Sequence, residues 1–154
     1  MHWGLIMKLT IEKRDLFTVP DDYYLCHCIS ADFALGAGIA KRFAELGVKS
    51  ELQEYAAFPS KPLWEGEGYC IMTSEPKPHG ALNLVTKEKY WHKPTLKTMR
   101  DALECVANDF DFYGKIAMPK IGCGLDRLKW KDVEKIIRDV FDCTKIEILV
   151  CDWR

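Results

Sequence analysis

Apolar and polar positions recur with two different periods along this chain, and each change of period marks a new element. Lys8–Lys13 (KLTIEK) alternates with a period of two and predicts a half-exposed strand. Tyr23–Ser30 (YYLCHCIS) is almost continuously apolar after a VPDD turn, which predicts a strand inside a sheet. Ile39–Leu46 takes the helical period up to Gly47, and Lys49–Phe58 forms a second short helical stretch that Pro59 ends. A loop (PSKPLWEGEG) follows, then two strand-like runs, Tyr69–Ser74 and Ala81–Lys87. Their connection, EPKPHG, predicts a hairpin-like antiparallel pair. Leu96, Met99, Leu103, Val106 and Phe110 recur at steps of three and four and define one face of a helix from Thr95 to Phe110. A short strand Lys115–Pro119, a helix Trp130–Phe141 and a last strand Lys145–Cys151 complete the order. Strands and helices alternating in this way predict an α/β fold with a mixed central sheet covered by helices.

Composition narrows this further. At 154 residues with 48% hydrophobic side chains, the chain is expected to form one domain over 1–154 with a sizeable core. The formal net charge of −1 gives no global field to recruit nucleic acid or an anionic membrane. Seven cysteines, an odd number lying mostly in apolar runs, fit buried free thiols in a reducing compartment. The amino-terminal MHWGLIMKLT has neither a basic flank nor a long apolar run, and no later stretch reaches membrane-spanning length. A cytoplasmic monomer with no membrane partner is the expectation.

Four places carry candidate chemistry, and in an open α/β sheet ligands gather at the carboxyl ends of strands. After the second strand, Gly36 and Gly38 lead into a helix, so bare N–H groups face either an anion or a plain tight turn. The stretch lacks the dinucleotide fingerprint because Lys41 stands where the third glycine belongs, and no P-loop lysine follows. In PKIGCGLDRLKW (Pro119–Trp130), Gly122 and Gly124 flank Cys123, and Asp126 either meets a ligand or serves as a turn acceptor. Lys87 leaves an apolar strand; it either snorkels to solvent or, in a partly dry cleft, becomes a nucleophile. In Cys26-His27-Cys28 the two thiols share one strand face and the imidazole takes the other, with no second ligand pair to complete a metal site.

Taken together, RDLF (Arg14–Phe17), HCISADFALGAGIAKRF (His27–Phe43), VTKEKYWHKPT (Val85–Thr95) and MPKIGCGLDRLKW (Met118–Trp130) resemble the macrodomain family, in particular its terminal ADP-ribose protein glycohydrolase subclass. The resemblance runs from about Lys8 to Trp153. It implies a three-layer α/β/α sandwich that holds ADP-ribose along the strand ends, with no metal or other cofactor. By motif, Lys87 matches the subclass nucleophile and Asp126 its acid/base. Asp15 and Leu16 match the adenosine end, and Trp153 a residue closing over adenosine. Ser30 and the backbone of Lys120, Ile121, Gly122, Cys123, Gly124 and Leu125 match further contacts. Gly36, Ala37, Gly38 and Ile39 match the diphosphate and distal-ribose side.

Two departures stand out. Arg14 replaces the glycine that usually precedes the DLF aspartate, at the adenosine rim. HCIS replaces the Asn-Ala-Ala-Asn element that other hydrolytic macrodomains use to orient water, so the resemblance favours the Lys87 route. The implied activity is removal of ADP-ribose from glutamate or aspartate of an ADP-ribosylated protein. The rival readings are a binding module without catalysis, a hydrolase of ADP-ribosylated DNA thymidine, and a hydrolase of O-acetyl-ADP-ribose or ADP-ribose-1″-phosphate.

Overall fold

The computed structural model describes residues 6–109 and 114–153. Six strands form one sheet: β1 (Lys8–Glu12), β2 (Tyr24–Ser30), β3 (Tyr69–Thr73), β4 (Ala81–Lys87), β5 (Lys115–Met118) and β6 (Glu147–Cys151). Their spatial order is β1-β6-β5-β2-β4-β3. All neighbours pair in parallel except β3 and β4, which run antiparallel as the EPKPHG connection predicted. The near-continuously apolar β2 lies inside the sheet between β5 and β4, where both its faces are covered. β1 is an edge strand and largely exposed.

Helices α1 (Gly38–Glu45) and α2 (Val48–Ala57) cover one face; α3 (Leu96–Asp109) and α4 (Trp130–Val140) cover the other. The strands serve the two layers by alternation. Ile116 and Met118 pack with Met99, Leu103, Val133 and Ile137. Ala117 between them packs on the side of Phe43, Val48 and Leu52. This is the expected three-layer α/β/α sandwich with a mixed sheet.

Element boundaries fall within two residues of those read from periodicity, because caps and breakers act locally. Thr95 and Thr98 cap α3 reciprocally: the Thr98 N–H donates to Thr95 Oγ1 at 3.1 Å and the Thr95 N–H to Thr98 Oγ1 at 3.0 Å. That capping turn alters the expected apolar face, since Thr98 is buried while Leu96 stays 39% exposed. Phe110, assigned to the end of that face, and the start of the amino-terminal apolar patch lie outside the described residues. All seven cysteines are free; Cys26 and Cys151 are buried and the other five half-buried. Among the described residues no helix is long and apolar enough to cross a membrane.

Candidate active site

Parallel pairing brings the carboxyl ends of five strands to one edge, and the residues matched to the ligand cleft lie at that edge, whereas Cys26-His27-Cys28 lies within β2. Asp15 and Leu16 follow β1, Trp153 follows β6, and Lys120–Asp126 follow β5. Ser30 ends β2, with Gly36–Ile39 beyond it, and Lys87 ends β4.

At the centre, Lys87 Nζ donates to Asp126 Oδ1 at 2.7 Å, with only 14% and 16% of the two side chains exposed. Backbone irregularity helps to place the lysine. The β2/β4 register shifts between Ile29 and Ser30, so Ser30 lies opposite Lys87, and the Ala31 N–H donates to the Lys87 carbonyl at 2.9 Å. Cys28 is close enough to feel both charges. Burial and the Asp126 carboxylate push its thiol up despite the opposing Lys87 ammonium, so the sulfur stays protonated.

The loop carrying Asp126 is held by local bonds. Gly122 has φ +74°, and a Cβ there would meet Met99 Cε at 2.8 Å and Leu128 Cδ1 at 3.0 Å. The left-handed turn lets the Leu128 N–H reach the Gly122 carbonyl at 2.7 Å. Gly124 faces open space instead. Ile121 is buried, and Cys123 Sγ donates to the Ile121 carbonyl at 3.3 Å. Across the cleft α1 begins at Gly38 with no side chain on its N-terminal N–H groups. Leu125 Cδ1 lies 3.6 Å from the Cβ position of Gly38, so the two glycine loops face each other. Bare N–H groups at that end of α1 suit an anion.

The far end of the cleft is built by β1 and β6. Asp15 caps a one-turn 3-10 helix, Leu16–Thr18, by accepting from the Phe17 N–H at 3.0 Å, and Leu16 is buried in the core. Arg14 is folded back on its own loop, donating to Thr18 Oγ1 and the Thr18 carbonyl, each at 3.2 Å, and pairing with Glu12 at 3.2 Å. Lys120 pairs with Asp152 at 3.3 Å, and Trp153 beside it is 64% exposed. An exposed indole here offers a face to a flat ring.

The HCIS segment is turned to structure. His27 is fully buried, stacked on Phe43 with centroids 3.7 Å apart and bonded through Nε2 to Asn83 Oδ1 at 2.6 Å. Among the described residues no group of His, Cys, Asp and Glu could hold a metal ion.

Asp32 escaped the sequence reading. Burial alone would raise its pKa, but hydrogen bonds from Ser30 Oγ at 2.5 Å, the Tyr90 N–H at 3.0 Å and the Ala34 N–H at 3.2 Å hold it below its ordinary value. It ties the loop after β2 to the loop after β4. Its spacing from Ser30 and Ala34 was the available local signal; its partnership with Tyr90 spans 58 positions and left none.

Solved structures share this architecture. The macrodomain of Thermus aquaticus DarG superposes with a TM-score of 0.76 at 18% identity, over 95% of this chain and 99% of that one. Thermosipho africanus DarTG, solved in complex with ADP-ribose, gives 0.72 at 18% identity, over 93% of this chain and 41% of that one. The fold is therefore that of a macrodomain. No protein-family model matches the chain. A curated relative, ADP-ribose glycohydrolase OARD1 of Bos taurus, is 37% identical over 150 residues, 93% of this chain and 90% of its own length. With identity of that extent, the chain belongs to the OARD1 family of ADP-ribose glycohydrolases.

Proposed function

We propose that this protein binds ADP-ribose and removes it from glutamate and aspartate side chains of modified proteins, with Lys87 as nucleophile and Asp126 as acid/base. The observation that carries this reading is the half-buried Lys87–Asp126 pair, 2.7 Å apart, at the strand ends where the glycine loops meet. OARD1, the bovine relative, is named for ADP-ribose glycohydrolase activity, and DarTG was solved with ADP-ribose bound.

The chemistry follows from the leaving group. In the modified protein, the anomeric carbon of the distal ribose carries an acyl oxygen whose conjugate acid has a pKa of about 4, so it departs as a stable carboxylate. A lysine ammonium has no lone pair for attack. Its proton must first leave, and Asp126 Oδ1 is the acceptor already hydrogen-bonded to it. The freed amine forms a bond to the anomeric carbon as the carbon–oxygen bond breaks, giving a lysyl–ribose adduct and the protein carboxylate. Water then takes the place of the amine at that carbon and yields free ADP-ribose. Asp126, still holding the proton taken from Lys87, gives it back to the departing amine, then accepts a proton of the attacking water and releases it to solvent, which restores the ammonium–carboxylate pair. Asp15, Trp153 and the glycine loops supply binding energy far from the bond being cut.

The test is release of ADP-ribose from a protein mono-ADP-ribosylated on glutamate, beside Lys87→Ala and Asp126→Ala, with ADP-ribose binding measured for all three. Release by wild type alone, with binding retained in the variants, is the expected outcome. Tight binding by wild type without release would make the protein a reader.

A further inference from the structure

The sheet order gives the cleft a direction. The residues assigned to adenosine follow β1 and β6 at one side, and Lys87 ends β4 towards the other. Whatever is attached beyond the distal ribose therefore leaves the cleft past β4, over the loop of residues 88–95. That loop carries an unusual surface. Tyr90 and Trp91 are each 63% exposed, three and four residues beyond Lys87. Their rings meet edge to face, with centroids 5.0 Å apart at 88°, and His92 abuts Trp91 at 5.4 Å and 72°.

Large aromatic side chains left in water cost free energy unless something covers them, and Trp and Tyr dominate the energetics of recognition surfaces. The backbone beneath the pair is fixed. The Tyr90 N–H donates to Asp32 at 3.0 Å, the His92 N–H to the Lys89 carbonyl at 3.0 Å, and Lys93 Nζ to the Leu125 carbonyl at 2.8 Å. A partner thus meets rings carried on an ordered backbone and loses little to ordering the loop.

Charge defines the partner. Residues 88–95 and 119–129, the two loops that follow β4 and β5, hold five basic against two acidic residues, in a chain whose formal net charge is −1. Lys120 is paired with Asp152 at the adenosine side, so the positive charge on the loop of residues 88–95 comes from Lys89 and Lys93, against Glu88 and the Asp32 carboxylate beneath Tyr90, and these two lysines suit a negatively charged partner. Ring geometry separates the two polymers of that charge. Successive bases of a nucleic acid stack on parallel planes, whereas these rings stand nearly perpendicular and offer no continuous stack to a run of bases, which favours a polypeptide.

We propose that Tyr90 and Trp91 are the acceptor-side platform of the cleft, docking the acidic polypeptide segment that flanks the ADP-ribosylated carboxylate. This rests on the glutamate/aspartate reading above and adds residues that decide which modified carboxylates are processed.

The test uses two labelled peptides mono-ADP-ribosylated on a single glutamate, one flanked by Asp and Glu, the other by Ser and Gly. Wild type should show a KM about tenfold lower for the acidic peptide, with the difference shrinking as salt is raised. Trp91→Ala and the double variant Tyr90→Ala/Trp91→Ala should erase that difference. Their kcat, and their hydrolysis of the acetate ester of ADP-ribose, which has no flanking chain, should stay at the wild-type level. Equal KM values for the two peptides in wild type, or an undiminished difference in Trp91→Ala, would overturn the platform.

A separate titration follows the anisotropy of the unmodified acidic peptide with protein saturated in free ADP-ribose, and needs no turnover. Binding about tenfold tighter to wild type than to Trp91→Ala supports the platform even if no ester is cleaved, an outcome that strikes only the hydrolase reading. Equal binding overturns the platform even where cleavage is brisk. A single-stranded oligonucleotide that loses affinity in Trp91→Ala while the acidic peptide does not would also overturn it, in favour of a nucleic-acid acceptor.

Discussion

Lys93 Nζ donates to the carbonyl of Leu125 at 2.8 Å, tying the loop that begins at Lys87 to the loop that contains Asp126. The bond lies six positions after Lys87 and one before Asp126, so it sets how the two loops register. Lys93→Ala should lower kcat about three- to tenfold while leaving the Kd for ADP-ribose within about twofold. Lys93→Arg, which keeps a long donor, should recover most of the rate. Single-turnover kinetics beside a binding titration make the check. A parallel loss of rate and ADP-ribose affinity in Lys93→Ala would refute a positioning role.

Substrate linkage gives a sharper test of the chemistry. A lysine displacement depends on the leaving group, so glutamate-linked ADP-ribose should turn over on the order of a hundredfold or more faster than serine- or arginine-linked ADP-ribose, whose leaving groups are far more basic. Comparing initial rates on three peptides of equal length decides it. Equal rates on ester and serine linkages would exclude attack by Lys87.

Gly122 should tolerate no side chain. Alanine at φ +74° costs about 1–2 kcal/mol from backbone strain alone, and its Cβ would sit 2.8 Å from Met99 Cε. Gly122→Ala should lower the denaturation midpoint and, because the same turn carries Asp126, reduce turnover as well. Gly124→Ala, facing open space, should be nearly neutral in stability. Equilibrium urea denaturation of both variants checks the contrast.

Acid should weaken the fold through His27. Asn83 Oδ1 can only accept, so the Nε2 of His27 carries the proton, and its Nδ1 is buried with no partner for a second one. Burial, partly offset by the Asn83 bond, pushes the His27 pKa down to about 4 from its ordinary 6.5. As pH falls from 6.5 towards 4 the unfolded chain takes up the proton and the folded chain does not. Stability should therefore drop through that window, by up to about 3 kcal/mol, and level off below it. His27→Phe, which keeps a ring beside Phe43, should flatten this part of the profile in urea melts across pH 4–7. An unchanged slope would remove His27 as its source.

The sequence by itself determined the elements and the chemistry available at their ends. Strand and helix periods, Gly47 and Pro59 as breaks, and the prolines between β3 and β4 act over a few residues, so pattern alone located Ala81–Lys87, Trp130 as the start of α4, and the glycine loops. Its motifs resembled those of macrodomains closely enough to single out Lys87 and Asp126.

Only the tertiary structure decided which strands are neighbours, and hence which ends share a cleft. Backbone hydrogen bonds between strands are nearly indifferent to side-chain identity, so periodicity carries little information about the order β1-β6-β5-β2-β4-β3. That order and the β2 register shift bring Lys87 and Asp126, 39 positions apart, to 2.7 Å. Three-dimensional packing also placed Asp32 across from Tyr90 and left Trp91 at the mouth of the cleft. Each outcome depends on non-local contacts, and no local window of the chain contains both partners.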